Sequence, residues 1–509
     1  MSGDVLTFHN DPQRLGWDSH ERVLTHAAVS GGHFGKLWET QTDGQVYGEP
    51  LYVSGLKTAG HRVDAVIAAT ERNVVVALDA KTGRELWSSG MLAKPLNEAQ
   101  YDNCMNIRPW HGITSTPVID RGSDTVYVCG ITQPTLRQVY VVWALDLVNG
   151  KVKQSWPVTL HGTYKGLKFE AGQLTQRGAL NLVNGYLYIP FSSRCDIDEW
   201  HGWVIGLDVR HPEREPRAFS PCLSVFGGGI WGSAGVAADR AGDLYCVTGN
   251  GGYNLDKGGD DVCESILRLH PENDRLSFDR AKGYYVPKNY ADLDNADADL
   301  GGSSTIVIPD LPGPTPHVTL TGGKDGLVYM VNRDNLGGLG GELFKVREFG
   351  SDNSDYFSDI KTTPAYFRKT GRHFVFFSGN LTGPSGKGGV IALEIVLGPK
   401  GTPVLKYTWG LPAALHQPGA VTVSSNGENE PIVWVVESNK DDGDFGPPGV
   451  LYAIDATSGN VLYRSDSNGD HDLIVDARKF CCPTVADGRV YVGSRGVVAF
   501  GLLPSGGAK

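Results

Sequence analysis

Eight polar or ionisable residues stand beside eight short segments built from Gly, Ser, Thr, Pro or Cys, each of which leads into a strand-like apolar run. In chain order they are Tyr47, His111, Arg177, Trp231, Asp299, Lys361, His416 and Lys479. If the segments converge, Arg177, Lys361 and Lys479 face one carboxylate, Asp299, and together could grip a small polyanionic or polar molecule. Asp299, His111 and His416 are the candidates for general acid and base, since imidazole titrates near neutrality and a carboxylate beside a reacting atom can take its proton. The run Asp292-Leu-Asp-Asn-Ala-Asp-Ala-Asp299 could supply part of the six to eight oxygens that a hard cation such as calcium takes, with Asp297 and Asp299 nearest the strand. It lacks EF-hand spacing, and a solvated loop accounts for such a run equally well. Cys481 and Cys482 are adjacent and so can join only through a strained, easily reduced ring; two free buried thiols are the simpler reading.

The segments that must position these residues recur roughly every 55–70 residues, a period of propeller blades or solenoid units. They begin near residues 47, 113, 177, 230, 301, 361, 418 and 480. Small residues at a strand start suit a place where backbones crowd, as at a propeller axis. Between the starts the chain reads strand, turn, strand. Asn73-Val-Val-Val-Ala-Leu-Asp-Ala runs into the turn Lys81-Thr-Gly and then Arg84-Glu-Leu-Trp, and Gly449-Val-Leu-Tyr-Ala-Ile-Asp-Ala echoes it. Alternating apolar residues with Asp and Gly at the turns predict four-stranded antiparallel blades. After the eighth start about 25 residues remain, too few for four strands of average length. The last blade must therefore borrow a strand from the amino-terminal region, within Phe34-Gly-Lys-Leu-Trp-Glu-Thr. The expectation is an all-β, eight-bladed propeller, one domain over residues 1–509.

Ala77-Leu-Asp-Ala-Lys-Thr-Gly-Arg-Glu-Leu-Trp87 resembles the Trp-terminated repeat of quinoprotein alcohol dehydrogenase-like propellers. Further stretches, among them Leu6-Thr-Phe-His-Asn-Asp, Gly229-Ile-Trp-Gly and Gly323-Lys-Asp-Gly-Leu-Val-Tyr, extend the resemblance over nearly the whole chain to a less characterised branch, the PQQ-like repeat proteins. The resemblance implies pyrroloquinoline quinone and calcium as cofactors of an alcohol oxidoreductase. In that reading Asp299 takes a proton, Asp297 and Asp299 hold the metal, and Arg177, Lys361 and Lys479 hold the quinone. Trp231 would then stack on the quinone, and Cys481–Cys482 would resemble the redox-active lid. The pair opens the last blade here, whereas in the family it flanks the first. Tyr463 also stands where the repeat expects Trp.

A formal charge of −11 argues against nucleic acid and anionic membranes as partners. No apolar run approaches a membrane span. Nothing matches a serine-hydrolase elbow, a Walker loop or a dinucleotide fingerprint. The amino terminus lacks the features of a secretory signal, which implies the cytoplasm as the sequence stands, and the periplasm or exterior if a leader has been removed. Cys104, Cys195, Cys222 and Cys263 fall in loop-like segments and could pair, whereas Cys129 and Cys246 read as buried small hydrophobes. Beside the quinone enzyme stand two alternatives: a cofactor-free lyase, isomerase, cyclase or hydrolase on a small anionic metabolite, and a scaffold that binds a protein partner.

Overall fold

A computed structural model describes residues 3–58, 60–97, 107–197, 199–350, 360–380, 383, 385–386, 388–412, 414–439 and 447–504. It forms eight small antiparallel sheets arranged as the blades of a propeller. The innermost strands are Leu51–Thr58, Val118–Asp120, Asn181–Val183, Ala237–Ala238, Ile306–Val307, Ala365–Lys369, Thr422–Asn426 and Thr484–Ala486. Each follows directly on one of the small-residue segments. Blade one shows the unit: Leu51–Thr58, His61–Ala69, Val74–Asp79 and Glu85–Met91 pair in sequence order. Blade eight is completed as expected by Phe34–Gln41, which pairs antiparallel with Gly496–Leu502. Among the described residues no helix is long and apolar enough to cross a membrane.

Adjacent blades are held by an aromatic lock written into the repeat. The Trp87 indole lies on Gly150 of the next blade and donates to the Leu147 carbonyl at 3.0 Å. Trp409 does the same on Gly459, donating to Ala456 at 2.9 Å. Only a glycine leaves room for the ring, and the turn also needs its positive φ, +70° at Gly150. At Tyr463 the phenol turns elsewhere and donates to Asp472 at 2.9 Å, under the edge of Phe34.

The axis is filled by a segment whose role the sequence does not announce. Residues 5–18 thread the hole and bond to one innermost strand after another. Val5 exchanges backbone hydrogen bonds with Tyr52, Leu6 accepts from Ile119, Pro12 from Ala238, Gln13 from Val307, Leu15 from Tyr366 and Gly16 from Val423. The Asn181 amide donates to Pro12 in blade three. Phe8 packs on Ala179, Ala234, Ala420 and Cys482, so the small residues of the starts make room for its ring. Arg14 is fully buried and donates to the Phe8, Leu180 and Val236 carbonyls and the Thr7 hydroxyl. Glu49 joins this segment to blade eight, accepting from the His9 N–H at 2.9 Å and the Thr484 hydroxyl at 3.1 Å.

Two expected outcomes follow from this packing. Gly150→Ala pushes a methyl into Trp87 and strains the turn, which costs about 2–4 kcal/mol. Gly166→Ala, at φ +90° with nothing within 4 Å, costs only the strain, about 1 kcal/mol. Equal losses in denaturant melts would show that the lock adds nothing. Burial pushes the Glu49 carboxyl from 4.5 up to about 8. The unfolded chain therefore releases this proton at lower pH than the folded one, and the contribution to stability falls as pH rises from 4.5 through 8. Glu49→Gln removes that dependence. Its stability relative to wild type rises across this window by on the order of 3 kcal/mol, and a pH-independent difference would refute the assignment.

Candidate functional site

Where seven of the eight starts meet, a cavity of about 410 Å³ opens above the buried amino-terminal segment. Tyr47, His111, Arg177, Trp231, Asp299, Lys361 and Lys479 all line it, as does Asp297. The first seven each arrive from a different blade start, and beyond Arg177, Trp231 and Lys479 the residues two or three further on turn down to Phe8. Arg177 faces the cavity and Ala179 the plug; Trp231 faces the cavity and Ala234 the plug.

Three expected members are elsewhere. His416 is exposed, outside the lining, with its backbone N–H on Glu437 at 2.7 Å. Cys481 and Cys482 are free thiols in the core, one in the packing between blades seven and eight and the other against Phe8. Burial raises both thiols, Cys481 to about 12, so neither is a ready thiolate. They follow Phe480 inward, and one further residue of chain carries them below the cavity floor. Cys222 and Cys263 are free as well; Cys195, on the cavity wall, is disulfide-bonded, and Cys104 lies outside the described residues.

The aromatic centre is Phe480, which sequence reasoning passed over because it is the apolar neighbour of Lys479. Its ring carries the Arg177 guanidinium at 4.1 Å, Lys479 at 5.8 Å and Lys361 at 6.0 Å from its centroid, with Trp231 at 6.2 Å. Arg177 has no hydrogen-bond acceptor or carboxylate among the described residues. Burial draws its guanidinium down to about 10, so it remains charged at neutral pH. A ring face holds a cation by about 0.5–2 kcal/mol. It leaves the five N–H donors of an arginine unmet, and those donors match a carboxylate fork.

Opposite lies a carboxylate network that was only half visible in the sequence. Trp231 donates its indole N–H to Asp299 at 2.6 Å. Lys324 reaches the other Asp299 oxygen, and also the Asp297 carboxylate at 3.1 Å. Burial would lower the Lys324 ammonium, but Asp299 and Asp297 outweigh it and hold the charge in place. Behind them Glu264 is fully buried, its carboxyl pushed well up by burial and then by the charge of Asp299. Lys324 belongs to the hairpin turn Gly323-Lys-Asp-Gly, and nothing local marks a turn lysine as inward-facing.

This network does not fit the calcium expected at Asp297 and Asp299. One Asp299 oxygen accepts from Trp231 and the other is ion-paired with Lys324, so an ammonium stands where a cation would. Among the described residues no three His, Cys, Asp or Glu side chains are grouped to hold a metal. Trp231 also offers less to a stacked quinone than expected, since the Lys324 ammonium lies 5.3 Å from its ring centroid. The cations at Phe480 do suit a quinone's carboxylates.

Residues 25–176 match the model of a PQQ-repeat family described as the outer membrane protein assembly factor BamB. The structure is similar to the quinohemoprotein alcohol dehydrogenase ADHIIG of Pseudomonas putida HK5, with a TM-score of 0.63 at 15% identity, over 100% of this chain and 81% of that one. BamB of Moraxella catarrhalis is similar at a TM-score of 0.46 and 12% identity, over 94% of this chain and 99% of that one. No curated protein matches the sequence. At these identities the likeness is one of fold, an eight-bladed propeller, and the PQQ-repeat match is confined to residues 25–176.

Proposed function

We propose that the axial cavity is the active site of an enzyme that binds a small organic anion and moves a proton on it. The observation that carries this reading is Arg177, a charged guanidinium on the cavity wall with no acceptor of its own among the described residues. Its donors face the cavity rather than a protein acceptor, and a ligand carboxylate would meet two at once. Asp299 is then the base, turned by Trp231 and Lys324 so that its orientation is set before substrate arrives. The Lys324 ammonium, held charged, stabilises negative charge that develops on the substrate as the proton leaves. His111 lines the same cavity and serves as the second proton carrier. A quinone oxidoreductase is the second reading, favoured by the cations around Phe480, whose charge suits a tricarboxylate.

Incubation with small carboxylates in deuterated water, followed by NMR, reads proton exchange without a known substrate. Arg177→Ala weakens carboxylate binding by about 10- to 100-fold. Asp299→Asn keeps the binding and slows exchange by about 100-fold or more. Binding of no carboxylate, or exchange undiminished in Asp299→Asn, would sink the reading. For the metal, millimolar calcium is expected to leave the melting temperature of the wild type unchanged, because Lys324 occupies the carboxylate pair. A rise that disappears in Asp299→Asn would reinstate a calcium site.

A further inference from the structure

Two free thiols that the axial cavity does not use, Cys222 and Cys263, meet behind its wall. The chain segments that carry them run side by side. Val262 donates its N–H to the Pro221 carbonyl at 2.8 Å, and the Asp261 carboxylate accepts from the Leu223 and Ser224 N–H groups at 2.7 and 2.9 Å. The Cys263 Sγ lies 4.0 Å from that same Pro221 carbonyl, whose peptide bond leads into Cys222, and the two thiols are in hydrogen-bonding contact. Both residues are completely buried. The Cys263 sulfur also rests on two glycines: a Cβ would come within 3.2 Å of it at Gly228 and 2.7 Å at Gly251. Gly228 donates to the Asn250 carbonyl at 2.6 Å and Gly249 to that of Gly229 at 2.9 Å, and Gly229, Gly249 and Asn250 line the cavity. A bond between the two sulfurs would therefore tie the segment leading into 227–229 to the residue packed on 249–251.

A disulfide needs two cysteines that the chain already holds in register, and this chain carries one disulfide at Cys195. Cys481 and Cys482 are the contrast: their side chains diverge, one into the packing between blades seven and eight and the other against Phe8. We infer that Cys222 and Cys263 are a second disulfide site, closed by exchange with a small external disulfide. The thiolate of one cysteine attacks that disulfide and releases one of its halves as a thiolate. The other cysteine then attacks the mixed disulfide and displaces the second half. The protein loses two electrons to the external disulfide and two protons to the departing thiolates. Burial, and the Cys222 thiol beside it, hold Cys263 protonated in the folded chain. The exchange is therefore confined to the folding chain, before these residues are covered, and the finished bond is shielded from reductant in the same way. The inference is independent of what the cavity binds.

Unfolding and reducing the full chain, then refolding it in a mixture of reduced and oxidised glutathione, tests this directly. Trypsin separates the two cysteines into peptides of residues 218–240 and 258–268. After the remaining thiols are blocked and the protein is digested without reductant, mass spectrometry is expected to find these peptides joined, two hydrogens lighter than their sum, and separate once reduced. Protein refolded under reductant and only then given the same mixture should gain the bond about 10-fold more slowly or less. Cys222→Ala abolishes the joined peptide. Its melting temperature falls below that of wild type by about 2–6 °C more after refolding in glutathione than after refolding under reductant. If that variant does not fold, the wild-type peptide map still decides. Both cysteines recovered as blocked thiols after oxidative refolding, or either one joined to a different cysteine, would overturn the site. Equal rates in folded and refolding protein would overturn its confinement to the folding chain.

Discussion

The hydrogen-bonded path of residues 5–18 around the axis is the constraint on which the rest of the molecule depends. Eight blades that taper toward a common axis leave a hole lined by strand edges, and backbone groups facing a hole need partners. Here the chain supplies them from its own start, with bonds to the innermost strands of blades one to seven and, through Glu49, to blade eight. Arg14 sits at the centre of this path, its donors met by three carbonyls and a hydroxyl and its charge supported by Asp11 and Glu49 nearby. Such an arrangement is rigid: removing any one acceptor leaves buried donors unmet at about 1–3 kcal/mol each. The plug also turns a through-channel into a blind cavity, so a ligand at Arg177 has solvent on one side only.

The indole locks act at a larger radius and along the circumference. They set the angle between neighbouring blades, while the plug sets their distance from the axis. The two are partly interchangeable. Where Tyr463 forgoes the lock, the adjoining blade eight is held instead by its sheet closure with Phe34–Gln41 and by Asp472, which accepts both from Tyr463 and from the Lys36 backbone. A repeat can therefore lose its signature residue wherever another constraint fixes the same degree of freedom.

Local patterns carried the fold. Period-two alternation, Asp and Gly at hairpins and the missing last strand are each encoded within a few residues, and the blades and their closure follow from them. The inward positions of Arg177, Trp231 and Asp299 were legible for the same reason, since each abuts a small-residue start whose direction the fold dictates. What the sequence could not show depends on partners far away in the chain. Lys324 looks like any turn lysine until Asp299 is placed beside it. Leu6-Thr-Phe-His-Asn-Asp looks like a terminal loop until the hole it fills exists. Cys481 and Cys482 show the converse, because adjacency suggested chemistry that two residues of inward travel removed from the cavity.

The cavity's charge runs against that of the molecule, and range decides which governs a ligand. A formal −11 spread over the whole chain is screened over about 8–10 Å in physiological salt. Arg177 acts on an anion in contact, in a cavity that the plug closes on one side, where less solvent intervenes to screen the charge. Phe480 is what makes the local field affordable. Its ring takes up part of the charge of three cations that would otherwise repel one another, and its backbone holds a left-handed φ of +67° to put it there. That conformation costs a non-glycine residue about 1–2 kcal/mol. A strained aromatic residue at the convergence of three cations keeps those cations together, and the anionic ligand proposed above would use that arrangement.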